Sequence, residues 1–185
     1  MKLTVIKTLE ELRPVLKDPG AAGPDPAYWV FRDIVGSWKN MTVIPPGNYN
    51  GEFTKTFGHY NLNPGNEEVY KCISGHGVFV LQKKHRDEKG NFDPDNVGEI
   101  QILRINVGQE VNISREFGHV LINIGDDPLI TYDNQTEKHP PEDYEPVARM
   151  HGLAYYVIKQ GDKVKVVPNP NYKNLGSSVL EDTLS

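Results

Sequence analysis

A single cysteine, Cys72, stands in the 185-residue chain, and one thiol excludes an intramolecular disulfide framework and any cysteine-based zinc cluster. It lies in the apolar run "VYKCISG", where a buried structural thiol is the expectation. Long hydrophobic runs are missing as well: nothing approaches the ~20 apolar residues that a membrane-spanning helix needs, so no membrane partner is expected. Positive charge is scarce, with 20 Lys and Arg against 25 Asp and Glu for a formal net charge of -5. The one basic cluster, "QKKHR", is followed at once by "DEKGNFDPDNVGE". Nucleic-acid phosphates would find no basic face, so no nucleic-acid partner is expected, although one or two placed donors would suffice for a small anion. The opening "MKLTVIKTLEELRPVL" has neither the apolar core nor the small-residue cleavage site of a secretory leader; the cytoplasm is the expected compartment.

What the chain does contain is a rhythm. One domain over residues 1–185 is long enough to bury roughly 70% of its unfolded surface in a single core. Thr8 ahead of "LEELRPVL", with Glu11 at capping-box spacing, predicts a helix over 9–16. "KDPGAAGPDPA" then reads as loop, so residues 1–27 are taken as helix and loop. From residue 28 short runs rich in Val, Ile, Tyr and Phe are broken by Gly, Pro and Asn, as in "YWVFRDIV", "MTVIPPG", "EFTKTFGHYN" and "HVLINIG". That spacing predicts an all-β fold of short antiparallel strands, closed as a sandwich or barrel over 28–172. "VFVLQKK" and "GEIQILRINV" are expected to pair across a long polar hairpin, and "YYVIKQ" with "DKVKVV" across "QGD". "TEKHPPEDYEPVARMHGLA" reads as a polar connection and the tail 173–185 as loosely held.

Six histidines occur, at 59, 76, 85, 119, 139 and 151. His85, His139 and His151 lie in polar segments and read as solvated, while His76 sits in the turn-like "SGHGV". His59 and His119 open or close apolar runs. Residues facing a barrel interior recur at every second position, which His59 and Asn61 satisfy, while Glu68 starts the next run and His119 opens "HVLINI". All four could face one interior, with His59 and Glu68 at the two ends of a hairpin across "LNPGN". Two imidazoles and a carboxylate suit a transition metal with open positions for substrate; strand-end histidines bonded to backbone are the plainer alternative.

The words around these residues are more specific. "GHYNLNPGNEEVYKCISGHGVFVLQ" followed by "VGQEVNISREFGHVLINIGDDPLITY" resembles the two motifs of the cupin superfamily. With "TVIPPG" upstream and "DKVKVVPNP" downstream, the chain over about residues 40–172 is similar to the archaeal-type, metal-dependent glucose-6-phosphate isomerase family. The resemblance implies a cupin-type double-stranded β-helix, a jelly-roll barrel with a short N-terminal helix. It implies one divalent metal (Fe, Mn, Ni or Zn) on His59, Glu68 and His119, with Asn61 in a fourth position where the family has a histidine. An amide oxygen is a harder, weaker donor and leans the choice towards Mn or Fe. The family's sugar-phosphate pocket falls on Thr42, Thr56, Gly58, Tyr70, Tyr132 and Tyr144, with Tyr144 beyond an insertion and His139 as a stand-in for a pocket histidine. Each has a plainer reading: Tyr70 as cross-strand packing, the threonines as strand formers, Gly58 as relief of crowding.

The activity so implied is interconversion of glucose 6-phosphate and fructose 6-phosphate through an enediolate, a step of glycolysis and gluconeogenesis, by a homodimer. Glu68 would be both ligand and base and Tyr70 a catalytic partner holding the sugar oxygens, with phosphate on Thr42, Thr56 and the backbone near Gly58. Ligation lowers a carboxylate pKa whereas a general base is tuned upward, so the two duties of Glu68 oppose one another. Cupin barrels host many chemistries. Another sugar isomerase, an epimerase, a dioxygenase, or a sugar-binding module without turnover are the alternatives that Asn61 raises.

Overall fold

A computed structural model describes residues 1–34, 36–62, 67–136, 141–175 and 177–180. The chain opens with β1 (Lys2–Lys7), α1 (Leu9–Leu12) and a 3₁₀ turn, Arg13–Val15. There follow β2 (Tyr28–Arg32), β3 (Asn40–Ile44), β4 (Asn48–Tyr49), β5 (Glu52–Phe53), β6 (Glu68–Ser74), β7 (His76–Arg86) and β8 (Phe92–Asn106). The second half holds β9 (Glu110–Ile113), β10 (Phe117–Asn123), β11 (Leu129–Asp133), α2 (Pro141–Arg149), β12 (Tyr155–Gln160), β13 (Lys163–Pro168) and β14 (Ser177–Leu180).

One sheet runs β1-β2-β3-β11-β6-β9; facing it are β10-β7-β8-β14 and β13-β12-β5-β4. The segment after β5 lies along β10 through the bridges Lys55↔Ile122 and His59↔His119, so the second face is continuous around the mouth of the barrel. Strands distant in sequence alternate between the two faces, as expected of an all-β double-stranded β-helix. Alternation does the sorting. On β3, Asn40, Thr42 and Ile44 are buried, on β6 Glu68, Tyr70 and Cys72, and on β11 Leu129, Thr131 and Asp133, one inward residue in every two. At one end the inward residues are apolar: Ile44, Phe79, Ile105, Ile113 and Leu129 are fully buried, each aliphatic side chain contributing about 1.5–3 kcal/mol. Towards the other end the same faces carry Asn40, Asp133, Tyr70 and Glu68, and there the barrel holds its polar cavity.

The two expected hairpins form, β7 with β8 and β12 with β13. Four local expectations are corrected. The predicted helix over 9–16 is cut to α1 plus a 3₁₀ turn, because Pro14 has no N–H to give to an i−4 carbonyl. Its capping box is intact, with Glu11 N–H donating to Thr8 Oγ1 (3.2 Å) and Thr8 N–H to Glu11 Oε2 (2.9 Å). Residues 1–27 are not helix and loop alone, since Lys2–Lys7 pairs with β2. The "polar connection" contains α2, which begins at Pro141, where a missing N–H costs a helix nothing. From the tail, Ser177–Leu180 pairs in parallel with β8.

A buried staple fixes the N-terminal turn to the barrel. Lys55 Nζ donates to Glu52 Oε1 (2.6 Å) and to the Val15 carbonyl (2.5 Å), and Glu52 Oε2 accepts from the Lys17 N–H (2.7 Å).

Candidate metal centre and cavity

Three ligand-type side chains converge at the mouth: His59, Glu68 and His119 offer atoms that all lie within 4.8 Å of one another. Their elements come from both faces. His59 and His119 exchange backbone N–H···O bonds of 3.1 and 2.9 Å, which brings their rings to a centroid distance of 4.5 Å. Glu68 stands on the opposite sheet, where its strand pairs with β9 and β11. The expected pairing of His59 and Glu68 at the two ends of one hairpin is corrected: His59 bridges β10 and Glu68 stands on the facing sheet, so the two meet across the barrel. The "NPGN" turn, residues 63–66, lies outside the described residues. Gly58 is needed for the approach, since its φ of +80° is left-handed and a Cβ there would meet the His119 carbonyl oxygen at 3.2 Å.

Glu68 is fully buried and is gripped from several sides. Oε1 accepts from Asn61 Nδ2 and from Gln135 Nε2, both at 3.0 Å, and Oε2 from the Tyr70 hydroxyl at 3.0 Å. His119 Nε2 stands 3.3 Å from Oε2 and His59 Nε2 3.8 Å from Oε1. Burial pushes the Glu68 carboxyl up, but the His119 and His59 imidazoles and the Gln135 amide outweigh it and hold the group well below the usual carboxylate range. It is a carboxylate at neutral pH. Tyr70 runs the other way: burial, then the Glu68 and Asp133 charges, push its phenol far up, so it is a neutral donor. Its oxygen also lies 3.0 Å from His119 Nε2.

The donor set fits a divalent ion. Ligand atoms about 2.0–2.2 Å from one ion and at right angles to each other are about 3 Å apart, close to the 3.3 and 3.8 Å found here. Two nitrogens and a carboxylate on one side leave the other positions open, an arrangement suited to Fe, Mn, Ni or Zn. Asn61 joins this group through Glu68, presenting its amide nitrogen; rotation of the amide would turn Oδ1 in its place.

Two of the three ligand-type side chains, His59 and His119, line a cavity of about 500 Å³, with Glu68 buried behind Tyr70 and Gln135. Thr42, Thr56, Gly58, Tyr70 and Tyr144 all line the cavity. Tyr144 comes from α2, with its ring 5.5 Å from that of His59 and 5.7 Å from that of Phe57; burial pushes its hydroxyl up to about 12. Asp143 fastens this helix to the segment that follows His59, its carbonyl accepting from Tyr60 N–H and its carboxylate from Leu62 N–H. Tyr132 is the correction. Alternation on β11 turns Thr131 and Asp133 inward and Tyr132 outward, where its ring lies 6.5 Å from that of Trp38. His139 lies outside the described residues.

Several cavity residues had escaped sequence reasoning. Arg32, Asn40, Asp133 and Tyr70 form one cross-strand row, in the register Arg32↔Asn40↔Asp133↔Tyr70. Arg32 Nη1 donates to Asn40 Oδ1 (3.1 Å), and Asn40 Nδ2 to Asp133 Oδ1 (2.6 Å). Burial raises the Asp133 carboxyl despite those donors. The alternation in "PLITYDN" could have found Asp133 once Thr131 was placed inward; Lys7 and Arg32, on β1 and β2, carry no such signal.

A family model for glucose-6-phosphate isomerase matches residues 35–173. The glucose-6-phosphate isomerase of Pyrococcus horikoshii is 30% identical over 136 residues, 72% of this chain and 63% of that protein. That of Pyrococcus furiosus is 30% identical over 135 residues, 71% of this chain and 62% of that protein, so the match spans somewhat less than two thirds of these relatives' length. Among solved structures, an oxalate decarboxylase of Bacillus subtilis aligns with a TM-score of 0.39 and 15% identity, over 64% of this chain and 28% of that one. With most of the barrel, the metal-type cluster and the larger part of the cavity wall inside the matched span, the chain belongs to the glucose-6-phosphate isomerase family.

Proposed function

We propose that the protein is a metal-dependent aldose–ketose isomerase interconverting glucose 6-phosphate and fructose 6-phosphate through an enediolate. The observation that carries this reading is the convergence of His59, Glu68 and His119, beside the Tyr70 phenol in a polar cavity, in a chain of this family. A divalent ion held by His59, Glu68 and His119, with Asn61 as a fourth donor after amide rotation, would supply Lewis-acid stabilisation of the negative oxygens.

The chain's own groups account for the rest. The reaction removes a proton from the carbon beside a carbonyl and returns one to the neighbouring carbon. Glu68 is the base: it is ionised at neutral pH, and its grip by Asn61, Gln135 and Tyr70 points its oxygens into the centre. A depressed pKa makes it a weak base, so its strength must come from proximity and from exclusion of water. Tyr70 remains a protonated phenol; its one proton, given to Glu68 Oε2 in the resting centre, turns to a sugar oxygen when substrate fills the cavity. Thr42, Thr56 and the backbone at Gly58 hold the phosphate, and Tyr144 closes the cavity over His59. The protein works as a cytoplasmic homodimer in this reading, and Leu3 and Ile6, exposed on the edge strand β1, suit an edge-to-edge contact.

The test is turnover of fructose 6-phosphate to glucose 6-phosphate by protein stripped of metal and reloaded with Mn, Fe, Ni or Zn. Turnover restored by a metal and abolished in His119→Ala supports the isomerase. Metal bound without turnover indicates another sugar or reaction on the same centre, and no metal bound overturns the reading.

A further inference from the structure

The cavity is not lined by the family-matched part of the chain alone. β1 and β2 lie before residue 35, where the family match begins, and they add two cations to its wall, Lys7 and Arg32. These stand at different levels. Arg32 shares the row that leads through Asn40 and Asp133 to Tyr70, beside the metal-type cluster. Lys7 pairs with Tyr28, four residues along β2 and so about 13 Å from Arg32 at ~3.3 Å per residue.

At that level the hairpin touches the segment Thr56–Gly58. The contact is that of Lys7, whose Nζ lies 5.7 Å from the centroid of the Phe57 ring, with Tyr28 lining the same cavity beside them. Thr56 Oγ1 accepts from the Leu121 N–H (3.1 Å), which leaves its own hydroxyl proton to donate elsewhere. The Gly58 N–H enters none of the backbone hydrogen bonds among the described residues. One neighbour steers Lys7: Glu11 Oε1, 3.5 Å from Nζ, on a carboxylate whose other oxygen is held by the capping box. This ion pair is half-exposed and weak enough for a dianion to displace.

We propose that Lys7 is the specificity-determining cation for the substrate's phosphate, completing a dianion site with Thr56 and the backbone N–H of Gly58 on the Phe57 side of the cavity. The proposal rests on the sugar-phosphate reading and deepens it, since the phosphate of a hexose 6-phosphate lies at the other end of the carbon chain from the two carbons that exchange the proton. Neutral hydroxyl and amide donors alone would bind a dianion poorly, and one charge-assisted partner about doubles the strength of such a contact.

The test uses the full chain loaded with its metal, with inorganic phosphate as probe, titrated by calorimetry and as a competitor of turnover. Lys7→Met keeps the aliphatic stem over Phe57 and removes the charge. The expected result is a rise of about 10- to 100-fold in both the phosphate Kd and the KM for fructose 6-phosphate, with kcat and the melting temperature unchanged and with Lys7→Arg close to wild type. Turnover of unphosphorylated fructose should not respond to the change. Wild-type phosphate affinity in Lys7→Met overturns the proposal, as does loss of phosphate binding in Arg32→Met alone, or absence of phosphate binding to the wild type. If the protein turns over no sugar phosphate, the isomerase reading fails, while a Lys7-dependent phosphate Kd still supports the dianion site.

Discussion

Removing one oxygen from Tyr70 tests how the centre is held together. The Tyr70 hydroxyl touches Glu68 Oε2 and His119 Nε2, each at 3.0 Å. Its ring packs on Phe79 with centroids 5.1 Å apart. Tyr70→Phe keeps that packing, so the fold should survive and the melting temperature should move little. The carboxylate, however, loses its phenol donor and keeps those from Asn61 and Gln135. A hydrogen bond to a charged group contributes about 1.5–3 kcal/mol, and at about 1.36 kcal/mol per decade kcat/KM should fall about 10- to 150-fold. The assay is coupled isomerisation of fructose 6-phosphate at saturating Mn, with the metal Kd measured by equilibrium dialysis on the same samples. If kcat/KM stays within about twofold of wild type and the metal Kd is unchanged, the phenol neither aligns Glu68 nor holds the sugar, and the reasoning is wrong.

Glu68→Gln should remove turnover and weaken metal binding together; full activity in this variant would refute the base assignment. Glu68 also sets a pH signature in metal-free protein. Its folded pKa is depressed, so its stabilising contribution is present above the unfolded value of about 4.3 and is lost as pH falls through the folded one. Denaturant titrations should therefore show wild type losing stability more steeply than Glu68→Gln on acidification below pH of about 4, and parallel curves would contradict this. Gly58→Ala should destabilise by about 1–2 kcal/mol, the cost of a side chain in the left-handed region, and should displace His59, seen as a weaker metal Kd. Lys55→Met leaves Glu52 buried without its cation and should cost about 3–5 kcal/mol in chemical unfolding, with no change in KM if the staple is purely structural.

The convergence of His59, Glu68 and His119 was legible because these residues sit in two compact motifs whose spacing survives in one chain. His59, Glu68 and His119 needed no knowledge of which sheet carries them. The path between them was not legible: "LNPGN" suggests a turn joining neighbours, whereas β6 leaves for the opposite sheet and pairs with β9 and β11. Local sequence reports turn chemistry but not the partner of the next strand. Tyr132 was misplaced through a single-residue error of phase, since a period of two sends every neighbour of an inward residue outward. α2 was hidden by its two prolines and by charge that reads as loop, although Pro141 at its first position is a helix-start signal. Lys7 and Arg32 could not be found at all, because nothing near either residue announces a pocket built mostly from residues 40–144.

The crossing of the centre from one sheet to the other has a mechanical meaning. His59 and His119 are locked to each other by backbone bonds, while Glu68 hangs from the facing sheet, so an ion bound by all three acts as a rivet through both walls of the barrel. Its binding free energy is then spent in part on holding the mouth at a fixed width. Occupancy should raise the melting temperature with the logarithm of metal concentration, and amide exchange in β6 and β10 should slow together when the metal is added.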